Sequence, residues 1–281
     1  MNARDLITRN LRLTTLPDVY LEVKAVLDDP GAGVADMARA IDHDPGITTR
    51  LLRIANSAFF GFAAKVDTVS RAVSLLGTQQ IHDLVLATSL ASVFKSGPGH
   101  AIDIDAFWHR SVYRAVAAKL LAGHCNVLDA ERLFVAGLLS DIGHLVMYLV
   151  IADEAEEARR ESLQSARLLQ VVERERLGFD CAEVGSELLA AWNLPDSLVT
   201  IVRHHLEPTQ ADDFALETAI VHIASHIAQA AENSELQIRF NPAAIRIVGL
   251  SDAVIESLAE QVDSQVAEAV ALIFTDRRAR A

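Results

Sequence analysis

Residues 44–57 read DPGITTRLLRIANS, and their spacing decides the fold class. Asp44 before Pro45 is an N-cap followed by proline at the first helical position, where a missing N–H costs nothing. Behind it Ile47, Leu51, Leu52, Ile54 and Ala55 recur at three- and four-residue steps, the period of one helix face. Asn56 and Ser57 can close the helix by bonding nearby backbone. The stretch predicts a capped helix from about Pro45 to Ser57.

The same period extends outward. It recurs through Val112, Ala115, Val116, Ala118, Leu120 and Leu121, and again through Ile220, Val221, Ile223, Ala224, Ile227 and Ala228. Period-2 alternation of strand formers persists nowhere. The fold class is therefore all-α and multi-helical. Caps and breakers predict further helices at about 68–77, 79–94, 105–123, 130–151, 153–176, 181–192, 195–205 and 214–232, then 242–248, 252–259 and 260–273. Ser96-Gly97-Pro98-Gly99 is the clearest linker. It suggests an N-terminal helical subdomain, 1–98, packed on a second helical domain, 99–281. The run DEAEEARRE at 153–161 reads as a solvated helix face with i,i+4 pairs.

Composition bounds the function. The 281 residues are 51% hydrophobic, so there is ample material for a core. A net charge of −13 argues against a general nucleic-acid or anionic-lipid binder, while leaving room for a local basic patch. Cys125 and Cys181 form no metal-finger or disulfide framework, and the start MNARDLITRN is no signal peptide, so a cytoplasmic location is expected. The stretch Leu133–Ala152 is long and apolar enough to span a bilayer, but Asp141 and His144 sit in its middle. A central Asp costs roughly 2.5–3.5 kcal/mol on insertion, so the stretch reads as a core helix and no membrane insertion is expected.

Three segments together resemble the HDOD family, the HD-related output domains of bacterial signalling proteins. The first is residues 44–57, followed by Ala72–Gly77 and preceded by Leu16-Pro17. The second is Phe107–Ser111 leading into Ala136–Gly143. The third is Leu177–Gly185, then Trp192–Pro195 and His204-His205. The resemblance covers about residues 13–208 and implies a degenerate HD-like helical domain. In HD phosphohydrolases, His and Asp ligands hold metal ions that activate water. The family's first histidine falls on Arg110, with His109 beside it as the other residue that could face inward. The HD doublet falls on Ser140-Asp141, a further histidine on Cys181, the HH pair on His204-His205, and the closing Asp near Ser225. Three histidines and one Asp are thus replaced. Cys181 could stand in as a soft ligand, but Arg110 brings a permanent cation into a cation site. No metal and no cofactor are expected, and no catalytic residues.

Arg110 is expected instead to pair with Asp141, because an unpaired Asp in so apolar a segment is costly. His144, one turn after Asp141, is expected to bond to it. His222 and His226, four apart, read as a structural pair. Trp108 and Trp192 read as core. His43, His82, His100 and His124 carry little signal. Asp44, Pro45, Arg50, Arg53, Asn56 and Ser57 read either as a capped helix or as an edge for a partner, exposing Arg50 and Arg53. The resemblance implies a non-catalytic signal-transduction module. Family members are often fused to receiver, GAF or cyclic-nucleotide-enzyme domains; this chain has room for none, so a partner in trans is expected. That partner would be a sensor kinase, a response regulator or a cyclic-nucleotide enzyme, with a homodimer as a further arrangement. The alternative is a sensor of a nucleotide or phosphate in the old HD pocket, and after it a metal-dependent phosphohydrolase on a rearranged site.

Overall fold

A computed structural model describes residues 2–9, 16–57, 65–93, 102–232 and 240–274. These residues contain no strand. Helices run in chain order as α1 (Ala3–Thr8), α2 (Asp18–Asp28), α3 (Val34–Asp42), α4 (Pro45–Ala55), α5 (Val69–Leu76), α6 (Thr78–Val93), α7 (Ile104–His124) and α8 (Ala130–Leu139). They continue as α9 (Ile142–Val150), α10 (Ala152–Ser165), α11 (Leu169–Leu177), α12 (Cys181–Ala191), α13 (Asp196–His204), α14 (Ala215–Glu232), α15 (Pro242–Val248) and α16 (Asp252–Phe274).

The chain forms two compact units, each discontinuous in sequence. One comprises residues 1–15 and 96–262, the other 16–95 and 263–281. This differs from the single cut at 98 by exchanging both chain ends. The Ser96–Gly99 linker itself lies outside the described residues, as does His100.

In the smaller unit, α3 packs on α2 and α5, and α6 packs on α2, α4 and α5. Ile47, Leu51 and Ile54 of α4 are buried, as their spacing requires. Asp44 Oδ1 accepts from the N–H groups of Gly46 and Ile47 at 2.8 and 3.0 Å. Asn56 accepts from the Val66 N–H and donates to the Val66 carbonyl, clamping the chain ten residues on. The motif is therefore a capped, clamped helix, while Arg53 is exposed on its outer face. His82 was expected to carry little signal, yet it is buried between Tyr20 Oη and Asp83 Oδ1, each at 2.9 Å. Its burial was hidden because residues 81–89 of α6 are buried on every side, polar ones included, so no single apolar face marks the core.

In the larger unit, α7 is the central helix, packed on α8 and α14. Phe107 and Trp108 are fully buried edge to face, and Trp192 is buried too, as expected. Two motif glycines set the packing distance. A Cβ on Gly137 of α8 would lie 2.8 Å from the Arg114 carbonyl oxygen. A Cβ on Gly143 of α9 would lie 1.9 Å from the Cys181 carbonyl oxygen at the start of α12. Side chains at these positions would push the helices apart.

Four of the expected helices differ. The stretch 130–151 is two helices, because Asp141 leaves the helical region at φ −105°, ψ 9°. Both halves are buried, so the apolar period runs through the break without marking it. The span Ala130–Val150 is apolar enough to cross a membrane, but 72% of its most apolar window is buried within the protein. The stretch 153–176 breaks after α10, where Ala166 takes a left-handed conformation at φ 53°. No Gly or Pro announces that turn. In contrast, α16 is continuous where two helices were expected. The acidic-basic face of α10 pairs internally through Arg159 and Glu156, and with α11 through Arg176 to Glu157 and Glu161. Exposed pairs of this kind contribute about 0–1 kcal/mol each.

Candidate functional site

Most of the residues that the resemblance placed at the HD positions converge in the larger unit. They border a cavity of about 180 Å³ lined by Arg110, Arg114, Asp141, His144, Cys181, His205 and Ser225, with Leu169, Gln170, Leu206, Ala228 and Gln229. Arg110 lines it and His109 is exposed, which decides which of the two faces inward. His205 is buried at the cavity and His204 is partly exposed outside it, as expected of adjacent residues on a helix.

The ion pair at Asp141 corrects the expectation. The guanidinium set on Asp141 belongs to Arg114, whose Nη2 donates to Oδ2 at 2.9 Å. Arg110 lies one turn earlier on the same face of α7. No motif residue falls on Arg114, but it sits four residues after Arg110 and shares its face. Its buried position follows from Gly137, which lets α8 approach the Arg114 backbone. Ser140 donates to the Gly137 carbonyl at 2.9 Å and receives a long contact of 3.5 Å from Arg114 Nη1.

His144 behaves as expected toward Asp141, with Nδ1 2.5 Å from Oδ1. Its other nitrogen meets a residue the sequence reading missed. Glu173 of α11 is fully buried and places Oε1 2.8 Å from His144 Nε2. Glu173 Oε2 also accepts the Cys181 backbone N–H at 3.1 Å. The missed signal was an acid inside an apolar register, between Val172 and the helix end at Gly178. The result is an alternating chain of charges: Arg114, Asp141, His144, Glu173.

The electrostatics follow from that order. Burial opposes ionisation of Asp141, but Arg114 and then His144 hold its carboxyl well below the usual range. Burial also works against a charged His144, yet the carboxylates of Asp141 and Glu173 at its two ring nitrogens outweigh it, so its pKa lies well above the ordinary value. Burial pushes the Cys181 thiol up to about 12, so it is neutral. Burial pushes His205 down to about 4, and its Nδ1–H donates to the Val202 carbonyl at 2.7 Å. Ser225 donates to the Val221 carbonyl. His222 donates through Nδ1 to the His205 carbonyl and accepts the Asn241 N–H, while its ring lies 4.3 Å from that of His226. That pair is structural, as its spacing suggested.

Asp141, His144 and Cys181 bring one donor atom each within 4.8 Å of one another, a separation that a metal ion could bridge. Their arrangement does not fit a hydrolytic divalent cation. Both His144 nitrogens face carboxylates, and the permanent charge of Arg114 sits on Asp141. A catalytic ion needs neutral imidazoles, thiolates or free carboxylates and an open position.

Comparisons with known proteins agree with this architecture. An HDOD protein of Geobacter sulfurreducens superposes with a TM-score of 0.73 at 23% identity, covering 96% of this chain and 95% of its own. A proposed phosphohydrolase of Shewanella amazonensis SB2B gives 0.74 at 24%, covering 95% and 96%. A proposed signal transduction protein of Marinobacter aquaeolei VT8 gives 0.69 at 20%, covering 92% and 58%. A curated protein of Treponema pallidum (strain Nichols), itself uncharacterised, is 25% identical over 204 residues. That match takes in 71% of this chain but only 39% of the Treponema protein. The HDOD domain model matches residues 13–208, the span bearing all three motifs, and the chain belongs to the HDOD domain family.

Proposed function

We propose that this HDOD chain is a signal-transduction module that acts through a protein partner and does not hydrolyse phosphoesters. The observation that carries this reading is the Arg114–Asp141 pair. Where a hydrolytic site would present a free carboxylate to a cation, this chain presents one already neutralised by a guanidinium at 2.9 Å. A cation entering there would have to displace Arg114 and leave its charge buried, at a cost of about 3–5 kcal/mol. The proposed phosphohydrolase among the structural relatives raises hydrolysis as the competing reading, and the same pair argues against it. The signalling role is supported by family membership and by the name of the Marinobacter relative. The partner class is a sensor kinase, a response regulator or a cyclic-nucleotide enzyme, and Arg53 on the exposed face of α4 offers one contact.

The test is hydrolysis of bis(p-nitrophenyl) phosphate with added Mn²⁺, Fe²⁺ or Ni²⁺, beside elemental analysis of chelator-free protein. No turnover above buffer and no stoichiometric metal are expected. Turnover that Asp141→Asn abolishes would overturn the non-catalytic reading. Surface plasmon resonance against the three partner classes from the same genome tests the other half, with saturable binding to one class expected. No binding to any of them would overturn the adaptor role.

A further inference from the structure

We propose that the face of α12 covered by α1 is a docking site for a basic amphipathic helix of a partner protein, which α1 occupies in cis as a weak stand-in. The inference rests on the reading of this chain as a partner-binding module, and it names the surface and the chemistry of the partner.

The helix α1 is six residues long, and its chief packing partner is α12. Both belong to the larger unit, although residues 16–95, which follow α1 in the chain, belong to the other. A helix that short is marginal on its own in water, so docking is what keeps it helical. Its anchors are Ala3, Leu6 and Ile7, spaced i, i+3 and i+4, and Leu6 and Ile7 are each 1% exposed. That is the spacing by which an amphipathic helix fills a groove. The polar groups of α1 bond within the helix. Asn2 and Asp5 each accept the other's backbone N–H, and Thr8 donates to the Arg4 carbonyl. The hold on α12 is therefore apolar, through two large side chains.

A groove-binding helix adds a further anchor at i+7. In this chain that position is Asn10, a polar residue outside the described ones. A partner helix with an apolar residue there buries one more side chain and displaces α1. Charge selects the partner further. Glu183 and Glu187 are four apart on α12 and both partly exposed, and the closest approach of Arg203 to Glu187 is 3.7 Å. Against them α1 brings Arg4 and Arg9, both exposed. Opposite charge steers a basic helix to this face and repels an acidic one. The other sides of α12 pack on α9 and α13, so the side under α1 is the one that helix exchange can open.

The experiment is fluorescence anisotropy with a labelled peptide of residues 1–12 carrying Asn10→Leu, titrated with the full chain and with its Leu6→Asp/Ile7→Asp variant. The variant, whose own α1 cannot dock, should bind the peptide saturably. The natural chain should bind about tenfold or more weakly, because only the fraction with α1 released is competent. The peptide with the natural Asn10 should bind the variant less tightly. A peptide that also carries Arg4→Glu and Arg9→Glu should lose about tenfold through repulsion. A cooperative thermal melt at natural helix content is the folding control. Where the double variant lacks it, Ile7→Ala takes its place and should bind the peptide more tightly than the natural chain does. No binding to a folded variant, equal binding by variant and natural chain, equal affinity of the peptides with and without Asn10→Leu, or indifference to charge reversal would each overturn the proposal. So would a natural dimer that the double variant converts to a monomer, since the occupant would then be the α1 of a second copy. The titration uses no cellular partner, so its failure is distinct from a blank plasmon-resonance panel.

Discussion

His144 and Glu173 lie on different helices, 29 residues apart in sequence, with Nε2 and Oε1 2.8 Å from each other. Because Nδ1 meets Asp141 as well, the imidazole joins two carboxylates, and Arg114 closes the far end. Four charges of alternating sign hold α7, α9 and α11 to one another. Such an array is costly to assemble and far more costly to leave incomplete.

Arg114→Ala should therefore destabilise the protein by about 3 kcal/mol, the lower part of the range for breaking a buried pair, because 18% of the Asp141 side chain reaches solvent. Arg110→Ala, at a less buried position, should cost less. Urea denaturation of both variants checks the order. Equal losses would mean that Arg114 is not the partner that matters.

The pH profile should carry an alkaline limb from His144. Its folded pKa is raised, so its contribution is complete below the unfolded value of about 6.5 and fades as pH rises through the folded value. Asp141, with a depressed folded pKa, contributes above about 3.8 and fades only as acid reaches its folded value. Urea midpoints measured from pH 6 to 10 should fall for the natural chain and fall less for His144→Gln. Parallel curves would contradict the charge assignment.

An acid limb of opposite origin should come from His205 and His222. Burial lowers both to about 4, so between about pH 6.5 and 4 the unfolded chain binds protons that the folded chain refuses. Stability should drop through that window. At His222 the neutral ring accepts the Asn241 N–H, a role protonation removes. His222→Gln should reduce the protons taken up on unfolding, read from the slope of stability against pH at pH 5.

Gly143→Ala should be among the most damaging small substitutions. The added methyl would meet the Cys181 carbonyl and the Gly185 N–H, both backbone atoms that cannot swing aside. Overpacking of this kind costs about 3 kcal/mol or more. It should also separate α9 from α12 and loosen the His144 contacts, so a near-natural melting temperature for this variant would show that the helices are not held at this distance by packing.

The all-α class, most helix ends and the cap at Asp44 were legible because they rest on local chemistry: a side-chain oxygen facing free N–H groups and apolar residues at helical steps. The residues that the resemblance singled out at 110, 181 and 225 do line one cavity, which residue identity and order along the chain were enough to suggest. The break at Asp141 and the turn at Ala166 were not legible: buried apolar residues on both sides of Asp141 keep the helical period intact, and the exposed turn at Ala166 carries no Gly or Pro. The choice of Arg114 over Arg110 and the arrival of Glu173 at His144 belong to tertiary structure alone. Residues 110 and 114 share a helix face, and only the approach of α8 at Gly137 decides which guanidinium meets Asp141. Glu173 is one acid among many in the sequence, and the packing of α11 beneath His144 is what buries it.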